Sequence, residues 1–275
     1  MNRTRSLPRF RTSLPSMGLI VLMLLAFALR TDAQTDSLPI TRSRMLGIGP
    51  ANILDTYLSA EKYQGTELRY IAHFSRPVRW RHFSQTVVHQ GIINLVNNRA
   101  DNNEELGGAY NFQYHLRYNW QMTPQLLFSA GAGADFNLGF LYNTRNSNNP
   151  AQARLSLHLA PSVAACYDFS YKTVDFRLSY EAMAPLVGLM FSPNYGQSYY
   201  EIFHKGNNDH NIVPTTFAAT PSLRQMLALD IRPTRKWSNT WLRIGYLGDY
   251  QQAKVNNLKY HHYSHLLILG ITKTL

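Results

Sequence analysis

Cysteine is nearly absent, with one residue, Cys166, in 275. That excludes an intramolecular disulfide and a cysteine-built zinc site. Long hydrophobic runs are missing too: the most apolar stretch, residues 18–29, falls short of the roughly 18 residues that a membrane-spanning helix needs. Charge is scarce, since Asp, Glu, Lys and Arg make up 16% of the chain, against about 25% in ordinary soluble domains. The formal charge of +11 does not point to nucleic acid. Five arginines (Arg3, Arg5, Arg9, Arg11, Arg30) stand against one acid, Asp32, in the first 33 residues, and the remaining basic residues are scattered among acids. No cofactor motif is present. Gly47-x-Gly49 lacks the Gly-Lys-Ser/Thr that completes a phosphate loop and reads as a turn.

Aromatic residues, by contrast, are plentiful, with 17 Tyr and 13 Phe. Over residues 106–120 they fall on one parity: Tyr110, Phe112, Tyr114, Leu116 and Tyr118 alternate with Asn111, Gln113, His115, Arg117 and Asn119. A period of two belongs to a β-strand, whose side chains point to opposite faces in turn. The pattern recurs near residues 66–75, 84–95, 125–140, 154–167, 174–181, 223–231, 242–250 and 261–275, and more weakly at 53–62. Short connections alternate with longer polar ones, at 96–105, 142–151, 185–221 and 251–260. Strands of this length with aromatics near their ends predict an all-β fold: a transmembrane antiparallel up-and-down β-barrel of about ten strands. Twelve are expected if residues 195–204 form a further hairpin.

The chain divides accordingly. Residues 1–33 read as a cleaved signal peptide, with a basic start, an apolar core and a small residue, Ala33, at the cut. Residues 34–52, interrupted by Pro39, Gly47, Gly49 and Pro50, read as a periplasmic linker, and 53–275 as the barrel. The location implied is the outer membrane of a Gram-negative bacterium. The expected partners are outer-membrane lipids and lipopolysaccharide, with the barrel assembly machinery during biogenesis.

The segment Gly47-x-Gly49-x-x-Asn52-x-Leu54-Asp55-Thr56-Tyr57-Leu58-Ser59-x-Glu61-x-Tyr63-x-Gly65-x-Glu67, followed by alternating strands to the C-terminus, resembles an uncharacterised outer-membrane barrel family of Bacteroidota-type bacteria, a domain-of-unknown-function family. The resemblance implies export and a barrel and carries no activity. The last strand is similar to the sorting signal of such barrels, although it ends in Leu275 with Lys273 on the apolar parity.

Three sets of residues are candidates for function. Polar residues on the inward parity, Arg69, Asn111, His115, Arg117, Asp175, Arg177, Arg224, Asp230 and Arg243, are expected to face a narrow lumen and to brace it by pairing. His262-x-Ser264 has the i, i+2 spacing that puts an imidazole beside a hydroxyl, and it resembles the catalytic pair of outer-membrane phospholipases and lipid A deacylases. His265 stands where those families carry Asn, and no acid is placed in sequence to orient the histidine, so the balance lies against an enzyme. Ser156-x-His158 repeats the spacing with less support. His261, His262 and His265 do not make a metal site, because neighbouring strand positions face opposite ways. In the longest loop, Tyr195, Tyr199, Tyr200 and Phe203 are candidates for contacting a glycan or a protein. The function expected is therefore structural or binding, through external loops over a side-chain-filled lumen. A lipid hydrolase or a narrow channel for small polar solutes are the alternatives.

Overall fold

The computed structural model describes residues 38–234, 237 and 239–275; the signal peptide assigned to 1–33 lies outside them. The strands are β1 (Thr41–Asp55), β2 (Lys62–Pro77), β3 (Phe83–Asn98), β4 (Glu104–Gln121), β5 (Leu126–Asn143), β6 (Ala151–Tyr171), β7 (Val174–Met183), β8 (Val187–Phe191), β9 (Ile212–Thr216), β10 (Leu223–Arg232), β11 (Thr240–Val255) and β12 (Leu258–Thr274). One short helix, α1 (Tyr199–Phe203), lies between β8 and β9. Every pairing is antiparallel, and β1 joins β2 on one side and β12 on the other, while β5 and β6 complete the ring.

Ten staves make this wall. β8 continues β7 along the same neighbour: Met183 pairs with Ser162 and Val187 with Leu159, so four steps on one strand span three on the other. The extra residue belongs to Ala184-Pro185-Leu186, where proline has no N–H for the ladder and a bulge absorbs the mismatch. In the same way β9 leads through residues 217–222 into β10. The β8–β9 hairpin is thus the upward extension of two staves. The further hairpin expected at 195–204 is not there; those residues hold α1, started by a capping box in which Ser198 and Glu201 bond reciprocally.

Orientation follows from exposure. Leu46 and Ile48 of β1 are 57% and 55% exposed on the outside, whereas Arg69 of β2 is 0% exposed inside. A soluble barrel would show the reverse. At the end bearing the termini, outward aromatics form a ribbon from strand to strand: Phe83 meets Tyr118 at 5.2 Å, Tyr118 meets Trp120 at 4.7 Å, Trp120 meets Phe128 at 5.7 Å, and Phe169 meets Phe176 at 5.1 Å. Such girdles mark the water–lipid boundary of membrane barrels.

Three sequence expectations need correcting. The linker at 34–52 is largely β1, which starts at Thr41. Gly47, Gly49 and Pro50 look like turn signals, yet Gly47 and Gly49 sit on the inward face, where a Cβ on Gly49 would collide with the backbone of His265. The first external turn lies at 56–61, within the stretch expected as a weak strand at 53–62, and Gly65 stands inside β2 against the backbone of Leu95 and Val96. The connection expected over 251–260 is a two-residue turn, Asn256 and Asn257, with φ of 51° and 62°. Asparagine tolerates that left-handed geometry, which matches the twist of a hairpin.

Substituting Gly49→Val should overpack the β1–β12 seam and lower stability by about 1–3 kcal/mol. Urea unfolding in detergent micelles, followed by tryptophan fluorescence, measures it, and Gly91→Val on the outward face of β3, where a side chain meets open space, serves as a control.

Candidate functional site

The lumen is built in layers. Nearer the loop end, the Arg69 guanidinium reaches Glu67 Oε1 at 2.6 and 2.8 Å and Asp249 Oδ2 at 2.7 Å. Asp249 also accepts from Arg224 at 3.0 Å, and Arg224 donates to Asn111 at 2.9 Å. Asn111 donates to Asp135 at 2.7 Å and accepts from Gln90 at 2.9 Å. Residues of β2, β3, β4, β5, β10 and β11 are thereby tied together through the interior. Below this lies an apolar layer of Met45, Ile71, Val88, Met226, Leu247, Leu266 and Ile268. Beneath it, Arg117 grips Glu181 with two bonds of 3.0 Å, and His73 lies 3.0 Å from the same carboxylate. Arg243 grips Asp230 at 2.6 and 2.7 Å, with Thr272 donating to Asp230 at 3.0 Å.

β1 makes the upper network possible. Its inward positions Gly47 and Gly49 carry no side chain, so Glu67 of β2 reaches across to β12, where Ser264 donates to its Oε2 at 2.6 Å and His262 Nε2 lies 2.7 Å from the same oxygen. The acid that seemed missing beside His262 is therefore supplied by the fold. Yet the arrangement is not that of a nucleophile: a general-base pair needs the imidazole to accept the hydroxyl proton, and here both groups turn to one carboxylate. His262 and Ser264 are buried in the lumen and away from the lipid face. In the other pair, His158 is 3.1 Å from Thr215, while Ser156 accepts from Asn137 at 3.4 Å.

Of the other inward residues named from sequence, Arg69, Asn111, His115, Arg117, Arg224, Asp230 and Arg243 are buried in the interior. His115 has no hydrogen-bond partner for either ring nitrogen. Arg177 and Asp175 lie near the terminal end, where Arg177 bonds Asp168 at 2.7 and 2.8 Å, Asp175 accepts from Arg232 at 2.6 Å, and both arginines lie over the Trp241 ring. What sequence reading missed is the apolar layer. The signal was present in β12, where Leu266 and Ile268 share the parity of His262 and Ser264, so that the strand is apolar on both faces.

At the loop end, the four aromatics part company. Tyr195, Tyr200 and Phe203 are 76%, 58% and 73% exposed. Tyr199 is a strut: its hydroxyl donates to Gln152 at 2.7 Å and accepts from the Ala153 N–H at 2.7 Å, and its ring meets Tyr57 edge-on. Beside it, Arg154 pairs with Asp55 and lies over the Tyr260 ring. Burial, followed by the neighbouring Tyr199, Asp55 and Glu201, pushes the Tyr57 phenol up to about 12. Glu201 is held below its ordinary value by its bonds to the Ser198 backbone and hydroxyl.

These features define a transmembrane β-barrel of the outer-membrane type with a polar, cross-braced interior. The chain belongs to the family described as protein of unknown function (DUF3316), which matches residues 17–275. No curated protein matches the sequence. Among solved structures, it is similar to the outer membrane protease OmpT from Escherichia coli, at 7% identity and a TM-score of 0.48, covering 90% of this chain and 100% of that one. The transport unit of the autotransporter AIDA-I from Escherichia coli gives 10% identity and a TM-score of 0.48, covering 94% and 97%. The translocator domain of autotransporter NalP from Neisseria meningitidis gives 6% identity and a TM-score of 0.41, covering 94% and 96%.

Two measurements probe the site. Arg69→Met strands two buried carboxylates and should cost about 3–5 kcal/mol, whereas Arg177→Met, whose partner Asp168 is half exposed, should cost about 0–1 kcal/mol; urea unfolding in micelles compares them. For Tyr57, the raised folded pKa means that its contribution is complete below the unfolded value near 10 and is lost as pH rises towards about 12. Ultraviolet titration of wild type against Tyr57→Phe should show one late-ionising phenol disappear.

Proposed function

We propose that this protein is a Gram-negative outer-membrane barrel, exported through a signal peptide cleaved after Ala33, that conducts no solute and acts as a structural or binding protein through its loop-end surface. The source in this reading is a Bacteroidota-type bacterium. The observation that carries it is the blocked lumen. An ion-pair network crosses the interior and an apolar layer lies against it; a cavity beside that layer measures about 40 Å3, and one on the loop side of the network, against Arg224 and Asp249, about 50 Å3. A cavity of that size holds a few waters at most. Surface Tyr195, Tyr200 and Phe203 provide the rings that stack on sugars or anchor a protein contact. The hydrolase reading draws no support from His262 and Ser264, which serve Glu67 in the interior.

In planar bilayers the wild-type protein should show no unitary conductance, while Leu247→Ala combined with Met226→Ala and Arg224→Ala should open a measurable one. Steady single-channel steps in the wild type would sink the proposal. Replacing Tyr195, Tyr200 and Phe203 with serine should leave heat-modifiable gel mobility intact and abolish retention on immobilised glycans or host proteins that hold the wild type.

A further inference from the structure

The outward faces of β11, β12, β1 and β2 change character together towards the loop end. One aligned row, Tyr246, Leu267, Ile48 and Leu68, is apolar apart from a phenol, and below it Ile244, Leu269, Leu46 and Tyr70 continue the lipid-facing belt. Two rows above, the aligned set is Tyr250, Tyr263, Asn52 and Gln64; the next holds Gln252, His261, Leu54 and Lys62; and Lys254 faces Lys259 beyond. On β3, Leu95 aligns with Thr66 but Asn97 aligns with Gln64 above it, so the polar rows run on to that strand; on the other side they stop at β10, where Leu223 aligns with Tyr250. The polar region is thus a sector and does not encircle the barrel.

Three properties make the sector more than a girdle. It contains a groove of about 420 Å3, floored by Pro50, Ala51 and Gly65 and flanked by His261 and His265 on one side and Lys62 on the other. Within the four strands its sign is uniform, because their acids, Asp55, Glu67 and Asp249, are all buried on the inward face, and Glu61, in the turn before Lys62, accepts a bond from Asn98 at 2.7 Å. Its rings are fixed in place: His261 stacks on Tyr263 at 4.5 Å and lies 2.8 Å from the Asn52 oxygen, while His265 Nδ1 lies 2.6 Å from the Tyr246 hydroxyl, leaving its Nε2 edge directed to the surroundings. A girdle of tyrosine suffices to place a barrel at the interface. It does not require a lysine of β2 and two histidines of β12 to be brought to one groove.

We infer that this groove binds the phosphorylated headgroup of a lipid in the leaflet at the loop end. Lysine and histidine N–H groups meet the phosphate, the Asn52 and Gln64 amides meet polar groups of the headgroup, and the acyl chains lie on the rows of Leu267, Ile48 and Leu68. The inference rests on the membrane placement proposed above and adds a specific occupant to it.

The test uses the full-length protein in phosphatidylcholine nanodiscs carrying a small fraction of lipid A, either bis-phosphorylated or enzymatically dephosphorylated, followed by detergent release and native mass spectrometry. Wild type should retain the phosphorylated form at least tenfold over the dephosphorylated one. Lys62→Gln combined with His261→Gln and His265→Gln should lose that preference, and Lys205→Gln in the loop helix region should keep it. Equal retention of both lipids by the wild type, or an undiminished preference in the triple variant, overturns the site. So does displacement of the phosphorylated lipid by millimolar inorganic phosphate alone, which would assign the groove to the free ion. Heat-modifiable mobility, run on each sample, separates the two levels: a protein that inserts without discriminating refutes the groove alone, and one that does not insert refutes the membrane placement beneath it.

Discussion

Arg69 has no contact with bulk water, and a guanidinium cannot shed its charge to suit a dry site. Its position is tenable because Glu67 and Asp249 lie on either side of it and Gln90 accepts a further bond at 3.1 Å. Each of those groups then needs partners of its own. Asp249 takes Arg224, Arg224 takes Asn111 and Asp135, and Glu67 takes His262 and Ser264. A buried ion pair gains little net stability over a well-packed apolar pair, but an incomplete one is strongly destabilising. The filling of the upper lumen follows from that asymmetry: once one charge is inside, the rest of the network is required.

The glycines of β1 belong to the same account. A strand with ordinary side chains at positions 47 and 49 would stand between Glu67 and its partners on β12. The absence of side chains therefore shapes the interior as much as the charges do, and it trades local strand propensity for a contact two strands away. The wall tolerates this because β1 is paired along its length on both sides.

Much of the architecture was legible in the sequence, because a membrane barrel writes its two faces on alternate residues. β4 and β5 were read nearly in full, and the burial of Arg69, Arg117, Arg224 and Arg243 follows from their parity. β1 was not legible, since its inward positions between Met45 and Ile53 are Met, Gly, Gly, Ala and Ile and its outward ones include Arg42, Arg44 and Pro50, which blurs the contrast between oil and water. The loop-end segments failed for a different reason: asparagine signals both long polar loops and two-residue turns, and the backbone conformation at Asn256 and Asn257 distinguishes them. The meeting of His262 with Glu67 was out of reach altogether. It depends on which strands neighbour one another around the ring, information that periodicity does not contain.

The chain distances within the network bear on biogenesis. Glu67 meets His262 and Ser264 across 195 and 197 residues, and Arg69 meets Asp249 across 180. A partly assembled sheet of the early strands holds a carboxylate and a guanidinium whose remaining partners arrive with the final two strands, and closing so long a loop carries an entropic cost that only the completed contacts offset. Assembly intermediates lacking β11 or β12 therefore expose an unsatisfied polar interior to the bilayer. The interior network is complete only when the last strand has joined the first.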